Sequence, residues 1–381
     1  MINESMYQLG SKPSCIRELF MYGLKQAAIV GKENVYDFSI GNPSVPAPQA
    51  VTDAFRAMTA QEDTLAIHSY TPAGGAPDAR KAVADNLAMR TGTVVRPENV
   101  FFTCGAAPAL VSVLRALAVE NSEIIAITPY FPEYRPFVEF SGSKFVPVPA
   151  DMEHFQINFA EMEKRINANT QAVMVNSPNN PSGAVYSLET LQTLAKLLTA
   201  KSQEYGHPIY IIADEPYREL VYDDAYVHYI PDIYPNTVIC YSYSKVFSLP
   251  GERIGYFFVP DCAEDSARLF AAAAGAARIM GHVCAPSLQQ QVVKACADVK
   301  PDLTEYDRNR TLLYEALTSY GYDCVKPQGA FYLFVKALEE DAYAFCERAK
   351  KYELLLVPSD SFGVSGYVRI AYCVSNDQIR R

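Results

Sequence analysis

The stretch Tyr241-Ser242-Tyr243-Ser244-Lys245-Val246-Phe247-Ser248-Leu249-Pro250-Gly251-Glu252-Arg253-Ile254-Gly255 decides how this chain is read. It sets one lysine, Lys245, three residues after Ser242 and eight before Arg253. A hydroxyl and a guanidinium both bind phosphate well, and an amine between them can hold a carbonyl as an imine. The arrangement suggests a carbonyl cofactor that also carries a phosphate. Ser-x-x-Lys has a second meaning, the serine nucleophile of penicillin-recognising enzymes. That chemistry also needs Ser-Asp-Asn and Lys-Thr-Gly, and neither occurs here.

On either side of this stretch, short β-rich runs alternate with helical segments. The runs lie at 100–103, 124–127, 145–148, 172–175, 210–213, 237–240 and 256–259. Most lack polar alternation, as strands covered on both faces do. The alternation predicts an α/β domain with a mostly parallel, seven-stranded sheet sandwiched by helices. Pro147 places the third run at an edge, because proline cannot donate to a ladder. Helices are expected at 14–31, capped by Ser14, and at 50–60 and 78–90, with a loop at 68–75.

From about residue 285 the pattern becomes α+β. Helical stretches at 287–299 and 303–320 lead to a strand-like Gly329-Ala330-Phe331-Tyr332-Leu333-Phe334-Val335. A helix at 341–352 and strands at 354–357 and 367–372 follow. The expected division is a large domain at 46–284 and a smaller one built from 1–45 with 285–381.

A net charge of −10 without a basic block argues against nucleic-acid or anionic-membrane partners. The polar opening Met1-Ile2-Asn3-Glu4-Ser5 does not resemble a secretory signal, and no apolar stretch is long enough to span a bilayer. Nine cysteines are scattered without a Cys-x-x-Cys pair, and five histidines without ligand spacing. Reduced thiols, a cytoplasmic location and no metal site are expected.

Ligands of such sheets sit beyond the carboxyl ends of the strands, and four of these ends carry chemistry. Cys104-Gly105-Ala106-Ala107 opens a helix whose free N–H groups can meet an anion, although a plain tight turn reads equally well. Asn176-Ser177-Pro178-Asn179-Asn180-Pro181-Ser182-Gly183 presents Asn180 from a stiff loop. Asp214, directly after an apolar strand, either meets a cation or caps a helix, and Tyr217 follows it. The fourth end is the opening stretch. Earlier, Gly41-Asn42-Pro43 is a turn that lets a backbone come close to something.

This ordered set resembles the class I/II, fold-type I pyridoxal-phosphate aminotransferases of the aspartate-aminotransferase superfamily, over nearly the whole chain. The resemblance runs from Gly41-Asn42-Pro43 through Tyr70, Gly105, Asn180-Pro181-Ser182-Gly183, Asp214-x-x-Tyr217 and Ser242-x-x-Lys245 to Arg369. It implies that Lys245 forms the internal aldimine with pyridoxal 5′-phosphate and then moves a proton, with pyridoxamine phosphate as intermediate. It implies that Asp214 keeps the pyridine nitrogen protonated, and that Tyr217 and Asn180 bond the ring oxygen. Ser242, Arg253 and the N–H groups at Gly105, Ala106 and Ala107 would hold the phosphate.

The same resemblance makes Phe131 the aromatic stacked on the pyridine ring, with Tyr134 as a competitor. Arg369 would bind the substrate α-carboxylate beside Gly41 and Asn180. Tyr70 would reach the phosphate of a neighbouring subunit, which implies a homodimer with shared sites. An amino acid and a 2-oxo acid are the implied substrates, and a β-lyase of the same fold is the alternative. Three features depart from the family pattern. Glu252 stands where many relatives carry an apolar or amide residue, Arg278 in the alanine-rich 272–281 stretch has no assigned role, and the chain ends soon after Arg369, so an incomplete or unusually short small domain is expected.

Overall fold

The computed structural model of the protein describes residues 1–11 and 14–381. Its strands are β1 (Tyr36–Asp37), β2 (Val100–Thr103), β3 (Glu123–Thr128), β4 (Lys144–Pro149), β5 (Thr170–Asn176) and β6 (Tyr210–Asp214). They continue with β7 (Thr237–Ser242), β8 (Gly255–Phe258), β9 (Tyr332–Lys336), β10 (Leu354–Leu355), β11 (Val357–Pro358) and β12 (Tyr367–Ala371). A seven-stranded sheet runs in the order β2-β8-β7-β6-β5-β3-β4. Only β8 is antiparallel to its neighbours, so the sheet is mostly parallel as expected.

Successive residues of the central strands enter opposite cores, which is why these strands read as unbroken apolar runs. Ile125, Val173, Ile211 and Ile239 pack with Leu191, Leu194 and Leu198 of the helix Leu188–Tyr205. Ile124, Ala172, Ile212 and Val238 pack on the opposite face with Leu110, Val113 and Leu114 of the helix Ala106–Leu117. Pro147 lies in β4 at the sheet edge, where its missing N–H costs no ladder bond.

A second, antiparallel sheet of order β11-β12-β9 packs under the helices Thr304–Ser319 and Ala342–Lys350. The N-terminal segment joins this part of the chain, because β1 pairs in parallel with β10. The helix Ser287–Cys296 sits elsewhere, with Val292, Val293 and Cys296 in one core with Val51, Val83 and Leu87.

Two local expectations need correction. Ser14 does stand at the start of the helix Cys15–Val30, but its side chain makes no capping bond. His68, expected in a loop, closes a short helix, Thr64–His68, which Asp63 caps through the N–H of Ala66.

Candidate active site

The carboxyl ends of β5, β6 and β7, the start of the helix Ala106–Leu117, the Gly41 turn and β12 face one cavity of about 290 Å³. Gly41, Ala106, Ala107, Phe131, Asn180, Asp214, Tyr217, Ser242, Lys245, Arg253 and Arg369 all line it. Gly105 stands immediately behind this lining, against Arg253. Tyr70 stands apart, 87% exposed and outside the cavity of its own chain.

Lys245 follows β7 in a run of turns, and its Nζ donates to the carbonyl of Gly41 at 2.7 Å. Desolvation pushes its ammonium down to about 8, and the nearby Arg253 and Arg369 push the same way. Asp214 ends β6 and leads into turns, not a helix, so it is not an N-cap. Burial raises its carboxyl to about 7, although the hydroxyl of Tyr134 bonds Oδ2 and opposes the rise. Oδ1 is buried and has no hydrogen-bond partner among the described residues. The backbone carbonyl of Asp214 accepts from Asn176 Nδ2 at 2.9 Å, which ties the ends of β5 and β6 together.

Phe131 and Tyr134 take separate places. Phe131 lines the cavity, while Tyr134 packs edge-on behind it, with ring centroids 5.7 Å apart, and serves Asp214. Tyr217 and Tyr332 meet hydroxyl to hydroxyl at 2.9 Å.

Gly105 precedes the helix at φ 96°, a backbone conformation that disfavours side chains. A Cβ there would lie 2.5 Å from Nη2 of Arg253, so the close approach of the guanidinium depends on glycine. Arg253 also donates to Ser244 Oγ at 3.3 Å and to the carbonyl of Pro250 at 3.0 Å. Ser244 Oγ accepts in turn from Ser242 Oγ at 2.8 Å. Glu252, unexplained in the sequence, accepts from Gln289 Nε2 at 2.6 Å.

Arg369 leaves β12 almost fully buried, at 2% exposure. Its Nη1 donates to Asn180 Oδ1 at 3.0 Å and its Nη2 to the carbonyl of Ser39, while its Nε has no partner among the described residues. Among the described residues, none of Lys245, Arg253 and Arg369 forms an ion pair. Arg369 is buried, Lys245 half-buried and Arg253 exposed at the rim, and burying an unpaired cation such as Arg369 costs roughly several kcal/mol even after relaxation. Three cations converging on one cavity therefore make a site for anions.

Ser244 and Tyr332 carry no site signal of their own in the sequence, and Tyr134 shows there only as a rival of Phe131. Asn176 reads as the start of the Asn180 loop, and Tyr332 as part of an apolar strand.

A family profile described as aminotransferase class I and II matches residues 33–381. The aspartate/prephenate aminotransferase of Thermus thermophilus is 30% identical over 352 residues, covering 90% of this chain and 87% of that protein. The aromatic-amino-acid aminotransferase 2 of Thermococcus litoralis is 29% identical, covering 96% and 93%. Among solved structures, an aminotransferase from Eubacterium rectale superposes with a TM-score of 0.97 at 56% identity, covering 100% of this chain and 96% of that one. The aspartate aminotransferase of T. thermophilus with maleate superposes with a TM-score of 0.86 at 28% identity, covering 97% and 94%. The chain is a transaminase and belongs to the class I and II aminotransferase family, whose members depend on pyridoxal phosphate.

Proposed function

We propose that the cavity takes pyridoxal 5′-phosphate, with Lys245 bonding its carbonyl carbon, and that an L-amino acid and a 2-oxo acid exchange their amino group there. The observation that carries this reading is the convergence of Lys245, Arg253 and Arg369 without a paired carboxylate among the described residues. A phosphate and a substrate carboxylate would supply the missing negative charge.

The residues fit the cofactor. Oδ1 of Asp214 is a buried acceptor without a donor among the described residues, as a site for a protonated ring nitrogen requires. A cation there would draw the carboxyl back from about 7 towards its ionised form. Gly105 leaves room for Arg253 to come close to the helix start, where the free N–H groups of Ala106 and Ala107 would meet the phosphate. Ser242 adds a hydroxyl to that cradle. Phe131 offers a ring face, and Tyr217 and Asn180 offer donors for the ring oxygen.

When bound, pyridoxal phosphate supplies an electron sink for the bond to the substrate Cα. The protein does the positioning and the proton transfer. Arg369 and Asn180 hold the α-carboxylate beside Gly41 through paired donors, which aligns the Cα–H bond. Lys245, whose ammonium is held down near 8 so that its neutral amine is far more accessible than an ordinary lysine's, would supply the base that takes the proton from the substrate Cα.

The same reading makes the protein a cytoplasmic homodimer in which the exposed Tyr70 reaches the phosphate of a second copy. It also keeps the division into 46–284 and 1–45 with 285–381. The helix Ser287–Cys296, counted with the small unit in that division, packs on Val51 and Leu87 of the large one.

Adding pyridoxal phosphate should generate visible absorbance, and borohydride should fix the adduct on Lys245. Amino donors are then screened against 2-oxoglutarate, pyruvate and oxaloacetate. Release of ammonia and pyruvate without an acceptor would overturn transamination in favour of elimination.

A further inference from the structure

Tyr332, at the start of β9, touches three parts of the site at once. Its hydroxyl lies 2.9 Å from that of Tyr217. The guanidinium carbon of Arg369 stands 4.6 Å from its ring centroid. A Cβ on Gly41 would collide with its hydroxyl oxygen, so this phenol occupies its place only because residue 41 is glycine. The carbonyl of that same glycine accepts from Lys245. Tyr332 is 3% exposed, and its ring is wedged edge-on between Tyr217 at 5.7 Å and Phe331 at 5.0 Å.

Two phenols sharing one hydrogen bond have a direction to choose. If Tyr217 donates to Tyr332, its proton is spent and it cannot donate into the cavity. If Tyr332 donates, the proton of Tyr217 is free to point at a ligand oxygen. The second arrangement is favoured because Tyr332, under the guanidinium 4.6 Å from its ring centroid, is held near 12 while burial lifts Tyr217 further, which makes Tyr332 the better donor of the two. The same ring face also steadies Arg369, whose terminal nitrogens are tied to Asn180 and Ser39.

We propose that Tyr332 is a positioning residue for both halves of the site: its hydroxyl, donated to the Tyr217 oxygen, aims and polarises Tyr217 into a stronger donor towards the cofactor, and its ring holds the Arg369 guanidinium for the substrate carboxylate. This rests on the reading of the cavity as a pyridoxal phosphate site. The two functions belong to different atoms of one side chain, so two variants separate them.

Tyr332→Phe removes the hydroxyl and keeps the ring. In protein loaded with pyridoxal phosphate, the pH midpoint of the visible absorbance should rise by roughly half a unit or more, the size of one weakened hydrogen bond. Its dissociation constants for two unreactive carboxylates, maleate and 3-phenylpropanoate, measured by calorimetry, should stay within about twofold of wild type. Tyr332→Leu removes both contributions and should also weaken both carboxylates roughly tenfold, the scale of a desolvated cation–π contact. An unmoved midpoint in Tyr332→Phe overturns the role of the hydroxyl. Equal carboxylate affinities in the Phe and Leu variants overturn the role of the ring.

If the Leu variant does not fold, Tyr332→Met takes its place for the ring, and the cycle of Tyr217→Phe, Tyr332→Phe and the double variant decides the role of the hydroxyl. Non-additive midpoint shifts support the phenol pair and additive ones overturn it. If wild type itself develops no visible absorbance with pyridoxal phosphate, the cavity reading falls. If it does and the variants match it, only the role of Tyr332 falls.

Discussion

Tyr134 donates its hydroxyl to Oδ2 of Asp214, while Oδ1 of the same carboxylate is buried and meets no donor among the described residues. The phenol alone does not compensate for burial, so the carboxyl sits near 7 and not at its ordinary 3.8. Between about pH 4 and 7 the folded chain holds a proton that the unfolded chain has released. Stability contributed by this group is therefore lost as pH rises through that window. The gap between the two values corresponds to at most about 4 kcal/mol. Asp214→Asn keeps an acceptor for Tyr134 and removes the titration. The cofactor-free variant should be about 1–3 kcal/mol more stable than wild type at pH 8, and nearly equal to it at pH 4, in urea unfolding. A wild-type advantage at pH 8 would contradict this.

Lys245 carries the opposite sign. Its amine is held near 8 against an ordinary 10.5, so the folded state favours the neutral form that attacks carbonyls. Uptake of pyridoxal phosphate by the cofactor-free protein, followed at its visible band, should quicken as pH rises through about 8 and then level off. A rate still climbing towards pH 10 would mean that the amine is not perturbed. Lys245→Ala should take up no borohydride-fixed cofactor and should lose transamination.

Much of this was legible in the sequence because of how it is buried. Runs at 124–127, 172–175, 210–213 and 237–240 lie in β3, β5, β6 and β7, where both faces are covered and no polar residue interrupts. Of the residues at the strand ends, Asp214 stood out as a charge close behind an apolar run, Asn180 by its proline-stiffened loop, and Lys245 by its spacing to Ser242 and Arg253. The roles of Tyr134 and Tyr332 were not legible. A phenol's role depends on what packs against it, and their partners Asp214 and Tyr217 are 80 and 115 positions away in the chain. Glu252 stood out only as a departure from the family pattern for the same reason. Its partner, Gln289, comes from a helix 37 residues further on.

Gly105 can be tested without touching any charged group. Its φ of 96° and the 2.5 Å distance from a built Cβ to Arg253 Nη2 mean that a methyl group must displace the guanidinium or strain the turn. Gly105→Ala should weaken pyridoxal phosphate binding roughly tenfold or more, as one charge-assisted contact is lost. Arg253→Ala should do at least as much. In Gly105→Ala combined with Arg253→Ala, the affinity should fall little below that of Arg253→Ala alone, because the methyl then has nothing to displace. Fully additive losses would show that the glycine acts on something other than the guanidinium.

Arg369 tests the substrate half. Its two terminal nitrogens are already occupied by Asn180 Oδ1 and the Ser39 carbonyl, which fix the plane of the guanidinium and leave Nε without a partner among the described residues. A lysine carries the charge but cannot keep both contacts and present a paired face as well. Arg369→Lys should therefore raise KM for every amino donor by roughly tenfold or more, and Arg369→Ala by roughly a hundredfold, the cost of losing a buried charge-assisted pair. The affinity for pyridoxal phosphate should change little in either variant, because Arg253 and the Gly105 turn hold that end. A rise in KM confined to donors with one class of side chain would move Arg369 from the α-carboxylate to the side-chain pocket.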